Sequence, residues 1–260
     1  MAKKLFGRKC IVLLMALSIF AFVGMACDGG GTTNAVCTEN VAGVGSTSAA
    51  KLYYPCNISS RTGATTMSGG YMETLANFDW LSQAITKSGY VVLAFTPANT
   101  MGMVSQWRNA HKNCIDRLKT INTTHAKLRG MIDTGKLQTC GHSKGGGGSL
   151  WASSELRGEL KTTIGMAPWM EEFTPATLRT ITSPTFIQAG STDSLAIASM
   201  TRSEYNGLGN IPKCYYSYAG YGHMAWYNAS GTTASRLSGD IIAWMDYYMN
   251  GEGSGPAVCR

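Results

Sequence analysis

Charge is scarce in this sequence. Only 14% of its 260 residues are Asp, Glu, Lys or Arg, against 44% hydrophobic, which is enough apolar material for one full-sized core. Other absences narrow the function. No C-x-x-C or H-x-x-x-H spacing occurs, which disfavours a zinc site. No G-x-x-x-x-G-K-[ST] occurs, which removes the common phosphate loop. No basic cluster with interleaved aromatics appears, so nucleic acid is not an expected partner. No long linker or internal repeat divides the chain. The longest apolar run, Ile11 to Val23, is too short for a bilayer span, which needs roughly 20 residues.

That run nonetheless has a place. Lys3, Lys4, Arg8 and Lys9 precede it and Gly24, Met25 and Ala26 follow it, the layout of a secretory signal over residues 1–26. Cys27 with Asp28-Gly29-Gly30-Gly31 resembles a lipoprotein junction, although Gly24 stands where Leu is usual; a lipid anchor at Cys27 and plain secretion both stay open. Four of the 22 basic residues lie in this leader, against 15 acidic residues in the rest, so the exported part is only slightly basic. Residues 27–48, rich in Gly, Thr, Ser and Ala, read as a flexible tether, leaving 49–260 as the folded domain.

Beyond Cys10 and Cys27, six cysteines remain, an even set that suggests disulfides in an exported protein. The sequence does not choose among the pairings. Cys37–Cys56 and Cys214–Cys259 are the expected pairs, and Cys140 could instead be a buried thiol.

From residue 50 onward, strands and helices alternate. Leu52–Tyr54, Ala64–Met67, Tyr90–Phe95, Leu137–Cys140, Thr162–Met166, Thr185–Ala189 and Cys214–Tyr218 read as strands. Helical spacing links Leu75, Phe78, Leu81 and Ile85, then Val104, Trp107, Ile115 and Leu118, and finally Leu237, Ile241, Trp244, Met245 and Tyr248. A further helix carries Leu150, Trp151 and Leu156. The alternation predicts one α/β domain with a mostly parallel sheet.

Glycine is abundant in one place, TCGHSKGGGG at 139–148, between a strand and a helix. Gly141-His142-Ser143-Lys144-Gly145 fits G-x-S-x-G, the turn that presents a nucleophilic serine. Side chains two positions either side of Ser143 would collide there. The following helix N-terminus offers free N–H groups to a developing oxyanion. A serine hydroxyl needs a base oriented by an acid, in the chain order Ser, Asp or Glu, His. Of His111, His125, His142 and His223, only His223 follows Ser143. Asp193, in the loop after the strand Thr185–Ala189, is the expected acid, although it could instead cap a helix starting near Ser194. The N–H groups of Tyr71, after Ser68-Gly69-Gly70, and of Lys144 are the expected oxyanion hole. This chemistry uses side chains only, so no metal or organic cofactor is expected.

Several stretches together resemble the bacterial cutinases and polyester hydrolases. GHSKGGGG is similar to their GHSMGGGG, Met166-Ala167-Pro168-Trp169 to their T-P-W, and Ser183-Pro184-Thr185 with Gly190-Ser191-Thr192-Asp193 to their V-P-T strand and acid loop. Gly222-His223 and Gly70-Tyr71 match the base loop and the G-Y segment. The resemblance covers residues 50–250 and implies an α/β-hydrolase without a lid domain. It implies ester cleavage by acyl transfer to Ser143, with His223 as base and Asp193 orienting it. It also implies that Tyr71 and Trp169 flank the substrate as an aromatic clamp; core packing is the other reading of Trp169. Two departures stand out. Lys144 replaces a methionine, and its cation either favours an anionic chain end or points to water. The chain also ends one residue after Cys259, which must find a partner outside the tail or remain free.

A monomeric hydrolase of polyesters such as cutin or synthetic plastics is the leading expectation. A hydrolase of small acyl esters is the alternative, and a non-enzymatic surface binding module is the third reading.

Overall fold

Strand β4, Val91–Pro97, is buried at every position and sorts its side chains by alternation. Val91, Leu93 and Phe95 join one apolar cluster with Trp107, Ile115 and Leu118. Val92 and Ala94 join another with Phe78, Leu81, Ile85, Leu237 and Trp244. A strand covered on both faces must be apolar throughout, which is why residues 90–95 form an unbroken hydrophobic run.

The computed structural model describes residues 34–259. Around β4 lie β1 (Val36–Asn40), β2 (Thr47–Pro55), β3 (Thr62–Ser68), β5 (Ile132–His142), β6 (Leu160–Met166), β7 (Thr185–Gly190) and β8 (Lys213–Tyr218). They form one sheet in the order β1-β2-β4-β3-β5-β6-β7-β8. The β1–β2 and β2–β4 pairs are antiparallel and the rest parallel. Helices α1 (Asp79–Lys87), α2 (Val104–Thr124), α3 (Lys144–Glu155), α4 (Pro175–Leu178), α5 (Ala198–Gly207) and α6 (Gly231–Met245) lie between and after the strands. Each predicted strand and helix falls within one of these elements or runs into it. Between Trp169 and Asp193 the chain forms only α4 and β7, so no lid is inserted there.

The leader and Cys27 lie outside the described residues. The tether expectation is corrected for 34–48. These residues fold: β1 pairs with β2 from Val36↔Pro55 to Asn40↔Lys51, and Cys37 is bonded to Cys56. An edge strand is held from one side by main-chain hydrogen bonds and needs no apolar alternation, so its small, polar composition concealed it.

The second expected disulfide, Cys214–Cys259, joins β8 to the C-terminal turn. It supplies the partner that Cys259 needed outside the tail. Cys114 and Cys140 are free, fully buried thiols, and burial pushes both well above the ordinary thiol pKa.

Candidate active site

The glycine run serves close approach. A Cβ on Gly141 would overlap the main chain of Gly145, and one on Gly145 would overlap the Gly69 carbonyl oxygen. Further along, Gly147 lies against the Trp169 carbonyl oxygen and Gly148 against the side chain of Trp107. So the first two glycines make the turn possible, and the last two let α3 settle against the loop after β6 and against α2.

Between β5 and α3, Ser143 adopts φ +52° and ψ −122°. A left-handed backbone at a non-glycine residue costs roughly 1–3 kcal/mol and persists only when its surroundings enforce it. Here they do. The Ser143 N–H donates to the Met166 carbonyl at 2.9 Å, and the Ser143 carbonyl accepts from Gly147 and Trp169, each at 2.9 Å.

The structure brings together the three residues expected from chain order. Ser143 Oγ lies 2.9 Å from His223 Nε2, and His223 Nδ1 lies 2.8 Å from Asp193 Oδ2. A carboxylate facing Nδ1 keeps a hydrogen there, which leaves Nε2 free to accept from the serine hydroxyl. All three side chains are largely buried. Burial pushes the Asp193 carboxyl up, but hydrogen bonds from His223 and the Leu195 and Ala196 amides, with the His223 charge, hold it below its ordinary value. The helix α5 starts only at Ala198, so Asp193 caps the intervening turn, through Leu195 N–H at 2.8 Å, as well as facing His223. The two loops are locked to each other: Gly190 sits against the Tyr221 carbonyl with no room for a Cβ, and the Thr192 N–H donates to that carbonyl at 3.0 Å.

Gly70 packs on the start of α3. A Cβ there would lie 3.0 Å from Ser143 Oγ and 3.1 Å from Lys144 N. That contact brings the following amide, Tyr71 N–H, to the same end of the helix as Lys144 N–H. Among the described residues, neither amide donates to a protein acceptor.

The cleft over Ser143 has a volume of about 390 Å³ and is lined by Tyr71, Met72, Glu73, Leu195, His223, Met224 and Tyr227 along with the serine. A larger surface hollow of about 630 Å³, bordered by Asn40, Ala50 and Thr74, holds no titratable group.

Two side chains bear on the open alternatives. Lys144 is mostly withdrawn from water. Its ammonium pairs with Glu171 at 2.9 Å and donates to the Gly102 carbonyl at 2.8 Å, with the Tyr71 ring 5.3 Å away. Trp169 is half-buried, packs on the cluster of Val104, Leu150 and Ile187, and is tied to the serine turn by its N–H to the Ser143 carbonyl; Tyr71 stands half-exposed at the rim of the cleft.

Sequence reasoning missed Met72, Leu195, Met224 and Tyr227 as wall residues, although all four lie within four positions of a named site residue. It also missed Glu73. This carboxylate is almost wholly buried; it lies 2.9 Å from His142 Nδ1 and accepts the Gly70 N–H. Burial raises its pKa, but the His142 charge and hydrogen bond, the Gly70 N–H and the His223 charge together bring it below the ordinary value.

A mostly parallel eight-stranded sheet, with a serine on a tight turn at the C-terminal end of a central strand, is the framework of an α/β-hydrolase. Within that class the chain belongs to the PET hydrolase-like family, whose family model matches residues 25–254; it is accordingly a serine ester hydrolase. Among its relatives, Cutinase 1 of Thermobifida cellulosilytica is 29% identical over 203 residues, covering 77% of this chain and 73% of the relative. A cutinase of Thermobifida fusca is 29% identical over 77% of this chain and 64% of its own length. A bis(hydroxyethyl) terephthalate hydrolase of Streptomyces coelicolor is 28% identical, with shares of 76% and 61%.

Proposed function

We infer that the chain cleaves polyester by acyl transfer to Ser143. The observation that carries this reading is the continuous hydrogen-bonded line Ser143 Oγ–His223–Asp193, at 2.9 and 2.8 Å, which opens into a cleft with apolar walls. In the proposed reaction Ser143 Oγ bonds to the ester carbonyl carbon while its proton passes to His223 Nε2. Asp193 keeps the imidazole oriented and stabilises its charged form. The N–H groups of Tyr71 and Lys144 receive the oxyanion. Collapse breaks the C–O bond, and the leaving alkoxide takes the proton from His223. A water molecule then repeats the sequence on the acyl-enzyme, returning Ser143 and releasing the acid.

Export is part of the same reading. It is supported by the signal-like residues 1–26 and by two disulfides, which form and persist outside the reducing cytosol. Lipidation at Cys27 is tested by the intact mass of protein recovered from membranes. Release of soluble acids from polyester film tests the activity. Turnover by wild type is expected, and wild type no better than Ser143→Ala would refute it.

A second reading keeps the chemistry and limits the substrate to small esters. The observation favouring it is that Trp169 packs on the cluster of Val104, Leu150 and Ile187, which is the core-packing alternative to a place in the aromatic clamp. A chain-length series of soluble nitrophenyl esters separates the two: turnover there without attack on film selects the small-ester reading. Covalent labelling of Ser143 by an organophosphate would set aside a purely binding role.

A further inference from the structure

Beside the Asp193–His223 pair lies a second pair of the same kind. Glu73 Oε2 and His142 Nδ1 are 2.9 Å apart, and the His142 and His223 ring centroids are 4.8 Å apart. His142 is fully buried and Glu73 nearly so. The second imidazole stacks on Trp226 at 5.8 Å and lies 5.5 Å from Phe78, so its plane is fixed by packing.

Its hydrogen bonds reach both sides of the site. His142 Nε2 faces the main-chain carbonyl of His223 at 3.0 Å. A carbonyl only accepts, so Nε2 carries a hydrogen. Nδ1 faces a carboxylate, so a second proton lies between Nδ1 and Glu73 Oε2. On the far side, the same Glu73 oxygen accepts the N–H of Gly70, the residue before Tyr71. One chain of contacts therefore runs from the loop bearing Tyr71, through Glu73 and His142, to the main chain of His223.

We propose that Glu73 and His142 are positioning residues for the reaction inferred above. The couple sets the distance between the loop that supplies the oxyanion N–H and the loop that supplies the base, and it holds the backbone of His223 while Asp193 holds its ring. Neither residue attacks substrate or exchanges a proton with it. This rests on the acyl-transfer reading. The physical reason for using a couple here is stiffness. His223 sits on a loop after β8, and a misplacement of about 1 Å at a reacting group can cost on the order of a hundredfold in rate. Asp193 alone leaves the ring free to slide with its backbone.

The test compares Glu73→Ala with Glu73→Gln on a soluble nitrophenyl ester. The alanine breaks the chain of contacts. The glutamine keeps it, with its carbonyl oxygen in the place of Oε2 accepting from both the Gly70 N–H and the Nδ1–H of a protonated His142. The alanine variant should lose roughly ten- to a hundredfold in kcat, with KM within about twofold, and the glutamine variant should return to within about threefold of wild type. A folded alanine variant with wild-type kcat would overturn the proposal, and so would a folded glutamine variant as slow as the alanine one. Proton NMR of the unaltered protein keeps the test open if the variants do not fold. Two far-downfield imidazole N–H signals are expected, one lost in Asp193→Asn and the other persisting there. A single signal would refute the Glu73–His142 hydrogen bond. Failure of the underlying reading looks different: wild type would then turn over no faster than Ser143→Ala, while both NMR signals remained.

Discussion

Asp193 divides its carboxylate. One oxygen is 2.8 Å from His223 Nδ1 and the other 2.8 Å from the Leu195 N–H. The backbone bond fixes the carboxylate before any substrate arrives, so orienting the imidazole needs no rearrangement. Replacing Asp193 with Asn would keep the shape but allow the amide to donate to Nδ1, forcing the hydrogen onto Nε2, where it cannot accept from Ser143. Steady-state kinetics of Asp193→Asn should show kcat lower by about three to four orders of magnitude with KM nearly unchanged. A loss under tenfold would show that the tautomer does not matter here.

Acid should destabilise the fold through Asp193 and Glu73, both held below their ordinary values. For a carboxyl depressed in the folded state, the stabilisation is complete above the unfolded value and disappears as pH falls through the folded one. Thermal melting should therefore vary little through these two groups above about pH 5 and weaken progressively below about pH 4. Asp193→Asn should show a shallower acid decline than wild type; identical declines would remove Asp193 from the account.

Glu204 has the opposite sign. It is fully buried, neither of its oxygens has a protein partner among the described residues, and burial raises its carboxyl well above the ordinary value. Folding then opposes ionisation, so this residue costs stability as pH rises from about 4.3 towards the folded value. Glu204→Leu should raise the melting temperature at neutral pH, with a gain of roughly 1–3 kcal/mol. The gain should be larger at pH 8 than at pH 4. Equal gains at both would show that the carboxyl is not the cause.

The disulfides close loops of different length, with separations of 19 and 45 residues. If cross-links act mainly by restricting the unfolded chain, opening Cys37–Cys56 should cost about 3 kcal/mol and opening Cys214–Cys259 about 4 kcal/mol. Denaturant melts of the two Cys→Ser double variants would check the order. A reversed order would point to native packing of the C-terminal turn on Trp244, Tyr247 and Tyr248 rather than loop closure.

Much of the fold could be read from pattern, because buried strands and helix faces leave a direct trace in side-chain spacing. The unbroken run in β4 and the period of Leu81, Ile85 and their neighbours are examples. The serine turn was also legible: two glycines flank Ser143 because main chain from two directions meets there. The candidate base was singled out by elimination, since only one histidine follows. The pair of Glu73 and His142 left no such trace. They are 69 residues apart, and nothing in either neighbourhood signals the other. The Lys144–Glu171 pair was hidden for a related reason, as Glu171 comes from a different loop. The first described residues, 34–48, were misread because a main-chain ladder at a sheet edge is indifferent to side-chain type.

Cys114 and Cys140 have no solvent access in the closed molecule, and their thiols strongly resist ionisation. An alkylating reagent in excess can therefore reach them only when the surrounding structure parts. Time-resolved mass shifts at these two sulfurs would time such breathing on the α2 side and at the sheet centre separately, without a dye, a tag or an engineered probe.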